Sequence, residues 1–145
     1  MPKTGSQVWT LRCDGGSRGN PGPGAIGYVL TDPFGGEREA RGEYLGPVTN
    51  NVAEYQALNA GLEAAARHGA RAVRVVMDSE LVVRQMTGEY RVKNEGLKPL
   101  HAEARRRAAG FAEVTYQSVL RDENAAADRL VNETLDKVLG TESPR

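Results

Sequence analysis

The spacing of the apolar residues changes near residue 50, and this change limits the fold more than any other feature of the chain. Before it, apolar residues alternate in short runs broken by Gly and Pro. Residues 7–13 set Trp9, Leu11 and Cys13 on one side and Thr10 and Arg12 on the other, as a strand does. Gly15 to Gly24 is rich in Gly and Pro and predicts a turn-rich loop. Residues 25–32 predict a second strand, Asp32-Pro33-Phe34-Gly35-Gly36 a hairpin turn, and about 37–46 a third strand. After it, Leu58, Leu62 and Ala65 recur at helical spacing from Val52 to about His68, and Gly69 is a suitable stop. Residues 72–77 are a short apolar strand. Helices follow from about Ser79 to Met86, ending near Gly88, and from about Gly96 to Ala109, ending at Gly110. Residues 112–119 predict a fifth strand, and roughly 123–139 a last helix closed by Gly140. Three strands of meander followed by alternating helices and strands predict an α/β fold, a mixed sheet flanked by helices.

The 145 residues suit one domain, with a core over about 7–139 and loose ends at 1–6 and 140–145. No apolar run approaches the ~18 residues of a membrane span. The start, Met1-Pro2-Lys3-Thr4-Gly5-Ser6, lacks the basic-then-apolar layout of a signal peptide, so a cytoplasmic protein without a membrane partner is expected. A single cysteine, Cys13, excludes an internal disulfide and a cysteine-rich zinc site. Nineteen basic residues balance nineteen acidic ones, so net charge does not mark a nucleic-acid binder. Residues 80–107 carry seven Lys/Arg against four Glu, a local basic excess that also fits a solvated helix face.

Four acids stand at the ends of predicted elements. Asp14 follows the first strand, Glu54 sits in the first turn of the first helix, Asp78 follows the fourth strand, and Asp128 lies about two turns into the last helix. Strand ends gather at one edge of such a sheet, where ligands bind. Asp14 and Asp78 meet there if their strands are parallel neighbours. Converging carboxylates repel one another, and a divalent cation removes that cost; Mg²⁺ favours hard oxygen ligands. Each acid also has a local reading. Asp14 before Gly15-Gly16 starts a turn, and Glu54 three residues after Asn51 has capping-box spacing. Asp78-Ser79 caps the next helix, and Asp128 is a plain helix residue.

The surrounding motifs are more specific. The run Asp14-Gly15-Gly16-Ser17-Arg18-Gly19-Asn20-Pro21-Gly22-Pro23-Gly24 resembles the opening signature of type 1 ribonuclease H. Thr49-Asn50-Asn51-Val52-Ala53-Glu54-Tyr55, Met77-Asp78-Ser79 with the Leu-Val-Val-Arg-Gln-Met that follows Glu80, and Arg121 to Leu130 resemble its second, third and fourth signatures. They occur in order and span residues 11–130. The resemblance implies a ribonuclease H-like fold: a five-stranded mixed sheet, with a three-strand antiparallel meander and two parallel strands. It implies that Asp14, Glu54, Asp78 and Asp128 are catalytic metal ligands. It places Asn20, Thr49 and Asn51 on the nucleic-acid backbone, and Gly15, Gly16 and Ser79 beside the RNA strand. An enzyme restricted to ribose must sense the 2′-hydroxyl.

Some features depart from that pattern. The loop Ser118-Val119-Leu120-Arg121 holds no histidine, and Arg121 resembles the substitution of the histidine-lacking branch, placed to contact phosphate. Residues 79–110 leave room for about two helices and contain no Trp, which resembles the short-handled branch without a basic protrusion. Tyr90, Arg91 and Lys93 are the remaining candidates for DNA-strand contacts, salt-dependent ones for the two cations. Glu80 replaces a base-contacting glutamine of some relatives.

Other motifs carry less. Gly22-Pro23-Gly24-Ala25-Ile26-Gly27 has dinucleotide-fingerprint spacing but precedes β-prone Tyr28-Val29-Leu30-Thr31 instead of a helix. His68 and His101 lie in helices without metal-like spacing, and Cys13 reads as a buried small residue. Asn132-Glu133-Thr134 is a glycosylation sequon by letters only.

The resemblance therefore implies a monomeric endonuclease that cuts the RNA strand of RNA–DNA hybrids with two Mg²⁺ ions, or Mn²⁺, leaving 5′-phosphate and 3′-hydroxyl ends. The alternatives are a hybrid- or duplex-binding module without catalysis, and a nuclease of the same fold acting on double-stranded RNA or a DNA junction.

Overall fold

Alternation in the first apolar runs becomes a meander of Val8–Ser17 (β1), Gly22–Thr31 (β2) and Glu37–Val48 (β3) in the structure, a computed structural model that describes residues 7–140. The expectations for residues 1–6 and 141–145 lie outside the described residues. Asn50–Arg67 (α1), Ala72–Met77 (β4), Glu80–Met86 (α2), Lys98–Ala109 (α3), Glu113–Ser118 (β5) and Ala125–Leu139 (α4) follow. The sheet order is β3-β2-β1-β4-β5, antiparallel across β1, β2 and β3 and parallel from β1 through β4 to β5. The expected five-stranded mixed sheet is present.

β1 runs further than its alternation predicts. Asp14 does not follow the strand but lies within it, and so do Gly15, Gly16 and Ser17. The expected loop from Gly15 to Gly24 shrinks to residues 18–21. The reason is packing. A Cβ on Gly15 would sit 2.2 Å from the Ala53 carbonyl oxygen, so the glycine lets α1 lie directly on the strand instead of turning the chain. Gly27 does the same for α4, where a Cβ would sit 2.6 Å from the Ala127 carbonyl oxygen. Gly22 to Gly27 is thus part of β2, with no helix opening at its glycines.

The main core lies between the sheet and α1. Leu11, Cys13, Tyr28 and Leu30 from the meander meet Tyr55, Leu58 and Leu62 from α1 and Val73, Val75 and Met77 from β4. Each large apolar side chain buried here contributes about 1.5–3 kcal/mol. Inside it the Tyr55 hydroxyl donates to Gln85 Oε1 at 2.6 Å, tying α1 to α2. On the opposite face α4 packs Val131 and Leu135 against Ala25. Glu39 on β3 accepts hydrogen bonds from the Tyr28 hydroxyl at 2.5 Å and from both Arg67 guanidinium nitrogens at 3.1 Å, with His68 Nε2 2.9 Å away. His101 Nε2 lies 3.3 Å from the Gln85 carbonyl. Both histidines serve packing positions away from the strand ends that carry the acids.

Helix ends follow local chemistry, with two differences from expectation. α1 starts at Asn50, capped by Thr49, whose Oγ1 accepts from the Val52 N–H at 3.2 Å. Asn51 is therefore not a cap, and Glu54 lies in the second turn. A 3-10 helix, Arg121–Asn124, precedes α4, so Asp128 falls in the first turn of α4 and not two turns in. Gly140 ends α4 in the left-handed conformation, φ 68°. Among the described residues no helix is long and apolar enough to cross a membrane.

Candidate active site

Parallel pairing of β1 and β4 brings the first two acids together. The register runs from Val8↔Ala72 to Arg12↔Val76, so two residues further on Asp14 stands beside Asp78. α1, seated on Gly15, brings Glu54 over the same strand ends. One carboxylate oxygen from each of Asp14, Glu54 and Asp78 lies within 4.8 Å of the others. Asp128 lies outside that group of three. It reaches the site from the first turn of α4, close enough to hydrogen-bond and repel Asp14. The positive end of α4 favours a carboxylate there.

The acids border a cleft of about 320 Å³, lined in part by Asp14, Gly15, Gly16, Asn51, Glu54 and Asp128. Arg121 overhangs it. Its side chain is 80% exposed, and its Nε lies 3.6 Å from Asp78 Oδ2. The cation thus approaches the cluster at a long distance, which leaves most of the negative charge unbalanced.

That imbalance shows in the proton affinities. Burial, then the charges of Asp78 and Asp128, push Asp14 up from an ordinary 3.8 to about 8. Burial pushes Glu54 up from 4.5 to about 7; the Ser79 hydrogen bond and Arg121 pull it down, while Asp78 pushes it up. Cys13 stays a thiol, raised well above its ordinary range by burial and then by Asp14. Without metal, the folded protein holds protons that the unfolded chain releases near its ordinary carboxylate values. The associated stability is complete below about pH 4 and is lost as pH rises through about 7–8. We expect the chelated protein to lose about 2 kcal/mol, roughly 5–10 °C in Tm, between pH 5 and pH 9. Millimolar Mg²⁺ or Mn²⁺ should flatten that curve. Thermal melts across pH, with and without the ion, check this; a Tm that rises with pH in chelator would contradict it.

The donor set fits a divalent ion. It consists of hard carboxylate oxygens without imidazole or thiolate, the set preferred by Mg²⁺ and Mn²⁺ over softer metals. Burial, and then mutual repulsion, lift Asp14 and Glu54, and a bound cation offsets both costs.

The other sequence candidates divide. Ser79 is buried and central: its hydroxyl hydrogen-bonds Glu54, while its Oγ accepts from the Val82 N–H at 3.2 Å as the α2 cap. Gly16 borders the cleft with space around it, since a Cβ would meet nothing closer than 3.9 Å. Asn20 and Thr49 spend their side-chain oxygens on the fold. Asn20 Oδ1 accepts from the Asn50 N–H at 3.0 Å, which pins the β1–β2 turn to the start of α1. Tyr90 and Lys93 do not line the carboxylate cleft. Tyr90 lines a separate groove with Arg91, Lys98, His101 and Arg105, and Lys93 is exposed between α2 and α3. Glu80 is paired with Arg84 at 2.8 Å.

Sequence reasoning passed over Ser17, Arg18, Asn50 and Asn132, all of which line the cleft. Asn50 Oδ1 accepts from the Ser17 N–H at 2.9 Å. Asn124 was also overlooked: fully buried, it donates from Nδ2 to the Cys13 carbonyl at 3.0 Å and so fixes the backbone just before Asp14. The available signal was spacing, since Asn132 follows Asp128 by one helical turn and Asn124 precedes it by one.

A family model described as reverse transcriptase-like matches residues 12–134. The ribonuclease HI of Halobacterium salinarum is 44% identical over 136 residues, covering 94% of this chain and 68% of that protein. The chain belongs to the type 1 ribonuclease H family. The crystal structure of that archaeal ribonuclease H1 superposes with a TM-score of 0.87 at 42% identity, over 90% of this chain and 98% of the other. LC11 ribonuclease H1, solved in complex with an RNA/DNA hybrid, gives a TM-score of 0.85 at 43% identity, over 90% and 99% of the two chains. The bifunctional protein Rv2228c of Mycobacterium tuberculosis is 40% identical over 148 residues, covering 92% of this chain. The chain spans only 41% of that mycobacterial protein. α2 and α3 are joined by residues 87–97, with no helix between them.

Proposed function

We propose that this chain hydrolyses the RNA strand of RNA–DNA hybrids, as a single domain with its core over about 7–139, acting as a cytoplasmic monomer. The observation that carries this reading is the meeting of Asp14, Glu54 and Asp78 within 4.8 Å at the strand ends, beside an open cleft. Membership in a family with a hybrid-bound member supports the substrate. Asp14, Glu54, Asp78 and Asp128 would hold two Mg²⁺ or Mn²⁺ ions. When bound, these ions supply the charge that activates a water and steadies the leaving oxygen. Ser79 favours the ionised form of Glu54 by hydrogen-bonding its carboxylate, against the burial that raises it. Gly16 and Asn51 face the RNA strand, where the small residue admits the backbone and the amide both donates to and accepts from a 2′-hydroxyl. Arg121, exposed at the rim, meets a phosphate. The products carry 5′-phosphate and 3′-hydroxyl ends.

Side-by-side incubation with labelled hybrid, double-stranded RNA and double-stranded DNA tests the assignment. We expect cleavage of the hybrid in Mg²⁺ or Mn²⁺, confined to the RNA strand and absent in chelator. Turnover in excess chelator, or tight hybrid binding without turnover, contradicts it. Equal cutting of double-stranded RNA would replace the substrate.

A further inference from the structure

The fourth acid is held by a residue outside the metal cluster. Asn132 follows Asp128 by one turn of α4, and its Nδ2 donates to Asp128 Oδ2 at 3.3 Å and to the Asp128 carbonyl at 3.1 Å. Arg18, from the β1–β2 turn, approaches the other end of the same amide. Its Nη2 lies 3.4 Å from both Asn132 Oδ1 and the Asn132 carbonyl, and pairs with Asp136 at 2.7 Å. Chemistry fixes the direction of this relay. A guanidinium only donates, so it must face the amide oxygen, and the amide NH₂ is left facing the carboxylate. Asp14, Glu54 and Asp78 meet at the strand ends, whereas Asp128 enters from the cleft wall on α4.

We propose that Asn132, oriented by Arg18, is a positioning residue that sets the rotation of the Asp128 carboxylate for ion binding. Outer partners of this kind orient the ligands that touch a metal. The strut also connects the strand that carries Asp14 to the helix that carries Asp128. The proposal rests on the reading of Asp128 as an ion ligand.

Two measurements test it: Mn²⁺ binding by calorimetry without nucleic acid, and kcat and KM on a labelled hybrid. Asn132→Leu should weaken Mn²⁺ binding and lower kcat, each by about 10-fold, with KM changed less than about 2-fold. Asn132→Gln, which keeps the donor, should recover most of both. Arg18→Met should give a smaller loss of the same kind. Should Asn132→Leu melt early, the contrast between Asn132→Gln and Arg18→Met decides by the same readings. Asp128→Asn separates the two levels of the reading. If it loses Mn²⁺ affinity and kcat while Asn132→Leu keeps both, the positioning role is overturned and the carboxylate assignment stands. If both variants behave as wild type, both fall. A loss confined to KM makes Asn132 a nucleic-acid contact and also overturns the proposal.

Discussion

Asp14→Asn is expected to abolish hybrid cleavage and at the same time to stabilise the metal-free protein at alkaline pH. Asp14 is 6% exposed and faces Asp78 and Asp128. Its carboxylate is useful only where a cation offsets its charge, and without one it is a cost to the fold. The neutral amide keeps the shape, loses the anionic ligand and removes the repulsion. We expect activity to fall by about 10²–10³-fold, the scale of losing one electrostatic stabiliser of the transition state. In chelator at pH 9 the variant should melt a few degrees higher, reflecting about 1–2 kcal/mol. At pH 5 the folded wild-type acid is already protonated, since its pKa is raised to about 8, so the difference should shrink there and vanish only below about pH 4, where the unfolded chain holds the proton too. A variant that melts lower at both pH values would mean that Asp14 serves the fold, and retained cleavage would remove it from the chemistry.

Gly15→Ala should damage fold and site together. The added Cβ would stand 2.2 Å from the Ala53 carbonyl oxygen and 2.6 Å from the Glu54 nitrogen. Both are backbone atoms of α1, so no side chain can swing away and the helix itself must move. Overpacking of this kind costs about 1–3 kcal/mol or more, or roughly 5–10 °C in Tm. The helix that moves carries Glu54, so cleavage well below Tm should fall further than the folded fraction does. Gly16→Ala is the control. Its Cβ has 3.9 Å of clearance, and its Tm should stay within about 2 °C of wild type. Thermal melts with activity at 20 °C below Tm read both effects. A Gly15→Ala protein with wild-type Tm would show that α1 does not rest on this strand.

Particular residues show how far the sequence could be read. Alternation at Trp9, Leu11 and Cys13 and helical spacing at Leu58, Leu62 and Ala65 identified the strand and the helix, because solvent enforces those periods locally. Gly140 was legible as a stop because a left-handed end favours glycine. Gly15 was misread. A glycine that admits a helix backbone and a glycine that turns a chain look alike in one sequence, and only α1 distinguishes them. Asn20 and Thr49 are expected at the substrate, and the fold also uses their oxygens to cap backbone N–H groups, at Asn50 and Val52, a role that depends on contacts the sequence does not display. Tyr90, a candidate for the DNA strand, lines a groove between α2 and α3 with Arg91, apart from the carboxylate cleft, and only the packing of those helices decides that position.

Residue types, their local periods and the four signatures were written in the chain, and with them the element order, the family and the identity of the four acids. Their meeting was not. It follows from β1 pairing in parallel with β4 in one register, from α1 lying against Gly15, and from α4 against Gly27. Those contacts join residues some forty to a hundred positions apart. Local periodicity records which way a side chain faces, whereas the partner across the gap is chosen by packing of the whole chain.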